Sequence, residues 1–362
     1  MLNKLRGLHL FFFILLFTSC SSINKLVELE PENCLNYTLE NKSDGIITVA
    51  EITPADKTDQ ADKNDQKSSI TVYGPNGQIL NTNQNLNHIY EIGSLTKTIT
   101  AALICKAKND NLLSPDDTID KYLELPSRFK YPAIKSLLTH TSGYKSFYME
   151  KGMSANHLKK RNDFYGITKE QILNRLSRTK INTTRQHQFL YSNFGYTVLG
   201  LVLESVYKKP YTQLANDFVQ NELGMTHTYI ADGNGDLHNY MVWAPDDAYL
   251  CAGAFYSTIE DMIIYAKLQL SEDDVFAECH KLLADINDKA TVNRQLGIKM
   301  DGIAYAWIFD NDSRFWWHNG GTDNYNCYLG FSTEKQKAVI VLSNLPPSYK
   351  IPATVVGAKM MK

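Results

Sequence analysis

Short hydrophobic runs and longer helical stripes occupy different parts of the chain. The short runs, rich in β-branched and aromatic residues, have the length and composition of strands and lie near the two ends. They predict strands over residues 46–52, 70–73, 78–81, 303–309, 314–318, 325–331 and 338–343. A Gly-Pro-Asn-Gly sequence at 74–77 and an Asp-Asn-Asp sequence at 310–312 have the composition of hairpin turns.

Helical spacing dominates the middle of the chain, to about residue 270, and a last helix is predicted over 351–361. Prolines interrupt the middle segment, and helices are expected to end near them. Strands at both ends with helices between them predict one sheet assembled from the two ends of the chain. The middle would then be a helical insertion beside that sheet, in a mixed α/β (α+β) fold.

The first 43 residues have the features of an export signal followed by a tether. Two basic residues precede an apolar run at 8–17, which is too short to span a bilayer. Small residues then precede Cys20, in a sequence that resembles a bacterial lipobox. We therefore expect a signal peptide over 1–19, a lipidated tether over 20–43, and anchoring through Cys20 to a membrane of the bacterial cell envelope. A plain secretory signal and an uncleaved anchor helix are the alternatives.

Composition favours an exported globular enzyme over a nucleic-acid-binding protein. The formal net charge is −2, and no long basic run occurs. Besides Cys20 there are five scattered cysteines without a C-x-x-C pair, so a zinc knuckle or a redox motif is not indicated. Cys105 is interpreted as a buried free thiol. Acidic residues between 53 and 69 are interleaved with lysines, which is typical of a solvated loop rather than a calcium site. We expect no metal and no other cofactor.

A serine and a lysine three residues apart begin a predicted helix at Ser94. A strand-like run at 89–92 and Gly93 precede the serine, and the residues after it have helical spacing. Because side chains three apart on a helix are neighbours, Lys97 can reach Ser94. A hydroxyl needs a base to become a nucleophile, and a lysine kept neutral by burial can be that base. Taken alone, the pair also fits a capped helix with a solvated lysine.

Two further motifs follow at large separations, Tyr191-Ser192-Asn193 and His318-Asn319-Gly320. With the serine and the lysine, they resemble the S-x-x-K, Y-x-N and H/K-x-G elements of the penicillin-recognising serine hydrolases. The match is to the branch of class C β-lactamases, DD-peptidases and esterases, and it covers about residues 44–360. Other segments resemble the same branch: 137–143 (LLTHTSG), 191–200 (YSNFGYTVLG), 223–225 (LGM) and 251–261 (CAGAFYSTIED).

This resemblance implies a β-lactamase/transpeptidase-like fold. In that fold an antiparallel sheet flanked by helices lies beside an all-helical subdomain, and the active cleft lies between them. The sheet subdomain would comprise about residues 44–111 and 285–360. The helical subdomain would comprise about residues 112–284.

The resemblance also implies a role for each residue of the first two motifs. Ser94 would attack a carbonyl carbon and become acylated, with Lys97 as its base or proton shuttle. Tyr191 would pass protons between Ser94 and the leaving group. Asn193 would hold Lys97 or a substrate amide by hydrogen bonds, although N-capping of a helix is the alternative for an asparagine at this position.

The third motif is expected to bind the substrate. Along a strand, His318 and Gly320 share one face, with Asn319 on the other. The family pattern implies an oxyanion hole formed by the backbone N–H groups of Ser94 and Gly321, and the two glycines would let the substrate approach the backbone closely.

The identity of the third motif bears on the substrate. In the β-lactamases of this branch a lysine is usual where this chain has His318, and a histidine carries a positive charge only when protonated. The sequence therefore favours a DD-peptidase or an esterase over a true β-lactamase. Overall, it predicts an exported serine hydrolase that works through an acyl-enzyme on a D-amino-acid peptide, an ester or a β-lactam, with peptidoglycan among its expected partners.

Two alternatives stay open at this point. A non-catalytic relative could keep the cleft to bind peptidoglycan, and an acyltransferase could use the same acyl-enzyme. Other hydrolase signatures are absent from the sequence, because it contains neither a G-x-S-x-G elbow nor an H-E-x-x-H zinc motif. His140, in the segment 137–143, is interpreted as a structural turn residue.

Overall fold

An eight-stranded antiparallel sheet, formed by both ends of the chain, is the centre of the fold. The computed structural model describes residues 26–55, 66–181, 184–230, 236–237, 239–271, 274–286 and 291–362. The strands are β1 (Ile47–Pro54), β2 (Gln66–Tyr73), β3 (Tyr90–Glu91), β4 (Tyr229–Ile230), β5 (Phe255–Ser257), β6 (Ala284–Asp285), β7 (Gly302–Ile303), β8 (Ile308–Asp310), β9 (Phe315–Gly321), β10 (Asn326–Ser332) and β11 (Lys337–Ser343).

Strand order in the main sheet is β2-β1-β11-β10-β9-β8-β7-β6, so the N-terminal strands join the C-terminal ones through the β1–β11 pair. In that pair Ile47 lies opposite Ser343 and Ile52 lies opposite Ala338. The predicted sheet, assembled from the two chain ends, is therefore confirmed.

Helices cover the sheet and fill the middle of the chain. They are α1 (Pro31–Leu39), α2 (Thr82–Asn85), α3 (Thr96–Asn109), α4 (Ile134–Leu138), α5 (Met153–Leu158), α6 (Lys169–Leu176), α7 (Asn193–Tyr207), α8 (Tyr211–Asp217), α9 (Leu250–Gly253), α10 (Ile259–Leu270), α11 (Asp274–Cys279), α12 (Thr291–Gln295) and α13 (Ala353–Met360).

Side chains of the main sheet alternate between two hydrophobic cores. In β1, Ala50 and Ile52 belong to the larger core, which includes residues of α3, α7 and α10. Ile47 and Val49 belong to the smaller core, which includes residues of α1 and α13. This alternation is the period-two pattern of a strand that is covered on both faces.

The middle of the chain is mostly helical, but it is not all-helical as predicted. Strands β4 and β5 lie within it and pair with β3 in a separate three-stranded sheet of order β3-β5-β4. Because β3 leads directly to Ser94, this small sheet connects the helical insertion to the start of α3. Strands of two or three residues give too short a hydrophobic pattern to be recognised from sequence.

Two predicted strands also differ from the observed ones. The predicted strand over 303–309 is interrupted by a turn in which Ala304 N–H donates to the Trp307 carbonyl and Ala306 has a left-handed φ of 70°. The predicted strand over 78–81 is only a bridge between Tyr73 and Ile79. The polar loop predicted over 53–69 is wrong at its two ends, which continue β1 to Pro54 and begin β2 at Gln66; residues 56–65 lie outside the described residues.

The predicted tether over 20–43 is wrong for its second half, where residues 31–39 form helix α1. Its Cys34, Leu35 and Leu39 are buried in the smaller core beside α13. Pro31 occupies the first turn, where a missing N–H has no cost. The predicted signal peptide and Cys20 lie outside the described residues. Within the described residues, no helix has both the length and the apolar content needed to cross a bilayer.

The packing of α1 predicts that substitutions on its buried face lower the stability of the protein more than substitutions on its exposed face. Leu35 is 2% exposed, so Leu35→Ala should lower the free energy of unfolding by about 2–4 kcal/mol, because it leaves a cavity in the smaller core. Urea denaturation would measure this loss. Asn33→Ala, on the exposed face of the same helix, should change it by less than about 0.5 kcal/mol. Equal effects of the two substitutions would show that α1 does not pack on the domain.

Candidate active site

Ser94 lies at a tight junction between the small sheet and helix α3. A 3₁₀ turn over Gly93–Leu95 leads from β3 into the helix, and Ser94 itself is 6% exposed. Gly93 has a left-handed φ of 48°. A Cβ atom at this position would lie 2.6 Å from the backbone nitrogen of Gly321, so only glycine fits here. The turn therefore brings the serine against the end of β9.

Lys97 lies one helical turn beyond Ser94 and is fully buried. Its Nζ is 3.0 Å from Ser94 Oγ, and it donates to the Ala252 carbonyl oxygen at 2.5 Å. Burial lowers the pKa of Lys97 well below its usual value of 10.5, because the charged form loses its hydration. A neutral amine held at this distance can accept the Ser94 proton while it still donates a hydrogen bond to Ala252.

Tyr191 reaches the same two residues from the helical insertion. It is 8% exposed, and its ring centroid lies 5.0 Å from Lys97 Nζ. Burial raises the pKa of Tyr191 well above 10, and a hydrogen bond with Ser94 opposes part of that rise. The phenol is therefore protonated at neutral pH, so it can donate or relay a proton at the serine.

Asn193 opens helix α7 and is partly buried there. The N-cap of this helix is Ser192, whose Oγ accepts from Gly195 N–H at 2.8 Å and donates to the Lys145 carbonyl at 2.7 Å. The capping role considered for Asn193 is therefore wrong. Its predicted role, to hold Lys97 or a substrate amide, stays a prediction.

His318 lies in strand β9, where it is 1% exposed. Its Nδ1 donates to the backbone carbonyl of Asn319 at 2.6 Å, which leaves Nε2 as the acceptor nitrogen. Burial is the largest cause that lowers the pKa of His318 to about 3. The imidazole is therefore neutral at pH 7. Asn319 points to the opposite face of the sheet, where its Nδ2 donates to Thr354 Oγ1 of α13.

Gly320 was expected to let a substrate approach the backbone, but the structure shows a different need for glycine at this position. A Cβ atom there would lie 1.9 Å from the carbonyl oxygen of Ile92 and 2.6 Å from Cys327 Sγ. The close approach at Gly320 is thus to the chain's own backbone, two residues before Ser94, rather than to a substrate. The neighbouring Gly321 places its backbone nitrogen against the Ser94 turn. The oxyanion hole formed by Ser94 and Gly321 stays a prediction.

His140 occupies a turn, as interpreted from the sequence, and its φ is 57°. Its ring also contributes to the site. Nδ1 accepts the backbone N–H of Ser192 at 3.0 Å, and the ring centroid lies 4.3 Å from that of Tyr191. Burial is the largest cause that lowers the pKa of His140 well below 6.5. The neutral ring of His140 thus packs against the ring of Tyr191. The sequence gave no indication of this contact, because the two residues lie far apart along the chain.

Glu91 is a site residue that the sequence reasoning missed. It is 3% exposed, and its carboxylate accepts hydrogen bonds from Thr322 Oγ1 and from the backbone N–H of Met241, both at 2.5 Å. Burial raises the pKa of Glu91 from 4.5 to about 7. The only available signal was a carboxylate in a short apolar strand just before Ser94, which by itself suggests no function.

Among the described residues, no group of three or more His, Cys, Asp or Glu side chains is arranged to hold a metal ion. The structure does bring together residues from all three sequence motifs. Lys97, Tyr191 and the end of β9 surround Ser94.

Comparisons with known proteins agree with this geometry. A profile of the Beta-lactamase family matches residues 70–355, a range that contains all three motifs. Among curated proteins, the chain is 24% identical over 287 residues to Protein flp of Staphylococcus aureus (strain MRSA252). That match covers 72% of this chain and 53% of the relative, so the chain spans about half the length of the curated relative it matches.

Solved structures show the same fold. A β-lactamase/D-alanine carboxypeptidase from Yersinia pestis superimposes with a TM-score of 0.66 at 18% identity, over 95% of this chain and 98% of that one. A D-stereospecific amidohydrolase from Streptomyces sp. gives a TM-score of 0.65 at 18% identity, over 91% of this chain and 98% of that one. With a matching family profile over most of its length and the fold of these enzymes, the chain belongs to the Beta-lactamase family.

Proposed function

We propose that the protein is a serine hydrolase that works through an acyl-enzyme on Ser94. One observation carries the proposal: the fully buried amine of Lys97 lies 3.0 Å from Ser94 Oγ, with a pKa far below that of a free lysine. A neutral amine at this distance can take the hydroxyl proton as the oxygen attacks a carbonyl carbon. A solvated, charged lysine could not do so.

The reaction would proceed in two transfers. In the first, Ser94 Oγ bonds to the carbonyl carbon and its proton passes to Lys97; as the bond to the leaving group breaks, Tyr191 gives its proton to the leaving group and takes the proton held by Lys97. The backbone N–H groups of Ser94 and Gly321 would stabilise the negative charge on the carbonyl oxygen, and each such donor contributes about 3 kcal/mol in comparable enzymes. In the second, water bonds to the acyl carbon and gives a proton to Lys97, and the bond to Ser94 Oγ breaks as that oxygen takes the proton back.

The proposed substrate is a D-amino-acid peptide or an ester rather than a β-lactam that is turned over rapidly. His318 supports this choice because, with a pKa near 3, it offers no fixed positive charge for a substrate carboxylate at neutral pH. The solved structures that share the fold include a β-lactamase/D-alanine carboxypeptidase and a D-stereospecific amidohydrolase, so the fold does not separate these substrates and the choice rests on His318. We also propose, from the sequence of the first 20 residues, that the protein acts in the bacterial cell envelope.

Replacing the nucleophile tests the proposal directly. The wild-type protein should form a covalent adduct with a fluorescent penicillin, with a fluorophosphonate or with both, and Ser94→Ala should form none, because the attacking oxygen is gone. Intact-mass spectrometry would measure the adduct. Ser154→Ala, at an exposed serine in helix α5, is the matched control and should label like wild type. A Ser94→Ala protein that still labels would contradict the proposal.

The state of Lys97 predicts how acylation depends on pH. Only the neutral amine can accept a proton, so the acylation rate should rise with pH through the lowered pKa and reach a plateau well below pH 10. Lys97→Arg should reduce the rate by about 100-fold or more, because a guanidinium stays protonated. Stopped-flow measurement with a chromogenic ester between pH 4 and 10 would show both effects.

Lys159→Arg, at an exposed lysine, controls for the substitution itself. A wild-type rate that continues to climb to about pH 10 would mean that Lys97 titrates like a free lysine. That result would remove the basis of the proposed mechanism.

Glu91 connects the two segments that would supply the oxyanion donors. It precedes Ser94 by three residues, and it accepts a hydrogen bond from Thr322, the residue after Gly321. Its second hydrogen bond, from Met241 N–H, ties the same carboxylate to the helical insertion. We infer that Glu91 is a positioning residue that fixes the distance between the two donors.

The titration of Glu91 makes this arrangement measurable. Its pKa is higher in the folded protein than the usual 4.5, so the folded state binds its proton more tightly and loses stability as pH rises from 4.5 to about 7. Glu91→Gln removes this component. The unfolding free energy of wild type should therefore fall relative to that of Glu91→Gln by roughly 2–4 kcal/mol across that range.

Urea denaturation at several pH values would measure this difference. Glu124→Gln, at an exposed carboxylate, should show no such trend against wild type. If the unfolding free energies of wild type and Glu91→Gln differ by a constant amount from pH 4 to 8, then Glu91 is not a buried carboxylate with a raised pKa.

A further inference from the structure

Five cysteines lie in the described part of the chain, and all are buried. Three of them direct their sulfur atoms at backbone carbonyl oxygens: Cys34 at Leu29, Cys251 at Tyr196 and Cys327 at Ile92. The other two, Cys105 and Cys279, face each other. Their sulfur atoms are 2.9 Å apart, which is closer than two non-bonded sulfur atoms normally approach.

The two thiols come from elements at opposite ends of the helical insertion. Cys105 lies near the end of α3, the helix that begins beside Ser94, and is 0% exposed. Cys279 is the last residue of α11, shortly before the chain returns to the main sheet at β6, and is 1% exposed. The pair is 174 residues apart in sequence and encloses nearly all of the insertion.

Neighbouring contacts fix both elements at this point. The Tyr305 backbone N–H, from the turn between β7 and β8, donates to the Cys279 carbonyl oxygen at 3.3 Å and so holds the end of α11 against the main sheet. Lys108, one turn after Cys105, pairs with Glu278, the residue before Cys279. The approach of the two sulfur atoms is therefore part of a packed contact between α3 and α11 rather than an isolated pair of side chains.

Cys105 is a free, buried thiol in the structure, as interpreted from the sequence, and so is Cys279. We propose that this pair is an oxidation site that forms an intramolecular disulfide. Two thiols would lose two protons and two electrons as the S–S bond forms. The acceptor would be a second disulfide, either that of a thiol-oxidising protein or oxidised glutathione, which is reduced to two thiols. The other three buried cysteines would remain reduced, which fits an odd number of cysteines.

The timing of this step follows from burial. Thiol–disulfide exchange requires a thiolate, and burial raises the pKa of Cys105 well above 9. Exchange in the folded protein is therefore slow in both directions. The bond would form while the chain folds and would then resist reducing agents until the chain unfolds.

The expected effect is on the stability of the cleft rather than on its chemistry. Cys105 is 11 residues beyond Ser94, or about 16 Å along the helix, so its sulfur is too far away to take part in acyl transfer. A bond at this place would instead close the loop that carries Tyr191 and tie it to the helix that carries Ser94 and Lys97. Crosslinks that close long loops restrict the unfolded chain most.

The test uses the full chain in mild detergent, refolded from denaturant in a buffer of reduced and oxidised glutathione. Free thiols are then alkylated in denaturant, and a non-reducing digest is analysed by mass spectrometry. We expect the peptides containing Cys105 and Cys279 to be joined, and Cys34, Cys251 and Cys327 to carry the alkyl label. Labelling of both Cys105 and Cys279, or a bond from either to another cysteine, would overturn the proposal.

A second measurement separates a lost crosslink from lost packing. The oxidised wild type should unfold roughly 5–15 °C above the protein refolded with reductant. For Cys279→Ala, the unfolding midpoint should be the same after refolding in either buffer. For Cys34→Ala, which removes another buried thiol, the oxidised protein should still unfold at the higher temperature. A wild-type midpoint that does not change with oxidation would overturn the proposal, whatever the result of the acylation experiments.

Discussion

The removal of the Lys97 amine from water is the constraint on which the rest of the site depends. Burial removes the hydration that a charged ammonium needs, so the residue is stable there as a neutral amine. Two of its close contacts, Ser94 Oγ and the Ala252 carbonyl, come from different segments of the chain. The same burial that makes lysine a base therefore requires α3, α9 and Tyr191 to pack without a gap.

Two glycines let the backbone of β9 lie directly against the backbone of the turn that carries Ser94. Gly93 and Gly320 lack side chains where β9 crosses the turn before α3, and a Cβ at either position would overlap backbone atoms of the opposite segment. The main sheet and the small sheet can thus meet directly at the serine. Glu91 holds the same junction from behind, through hydrogen bonds to the two segments that border it.

The sequence predicted the parts of this arrangement that local pattern and motif order encode. The S-x-x-K spacing placed Lys97 beside Ser94 because three residues make almost one helical turn, and alternation placed His318 and Asn319 on opposite faces of a strand. The contacts of Glu91 and His140 could not be predicted, because their partners are 50 to 231 residues away in sequence. Helix α1 was missed for a similar reason: its nine residues are too few to show a periodic stripe, and its stability comes from packing against α13.

That short helix changes how far the domain could move from a membrane. If Cys20 carries a lipid, only residues 21–25 separate the anchor from folded structure, because Leu26 and Leu29 already pack against the smaller core, and five fully extended residues reach about 17 Å. A free linker up to residue 43 would have reached more than four times as far. The domain would then sample a thin layer next to the lipid headgroups, and any molecule that reaches Ser94 would have to enter that layer.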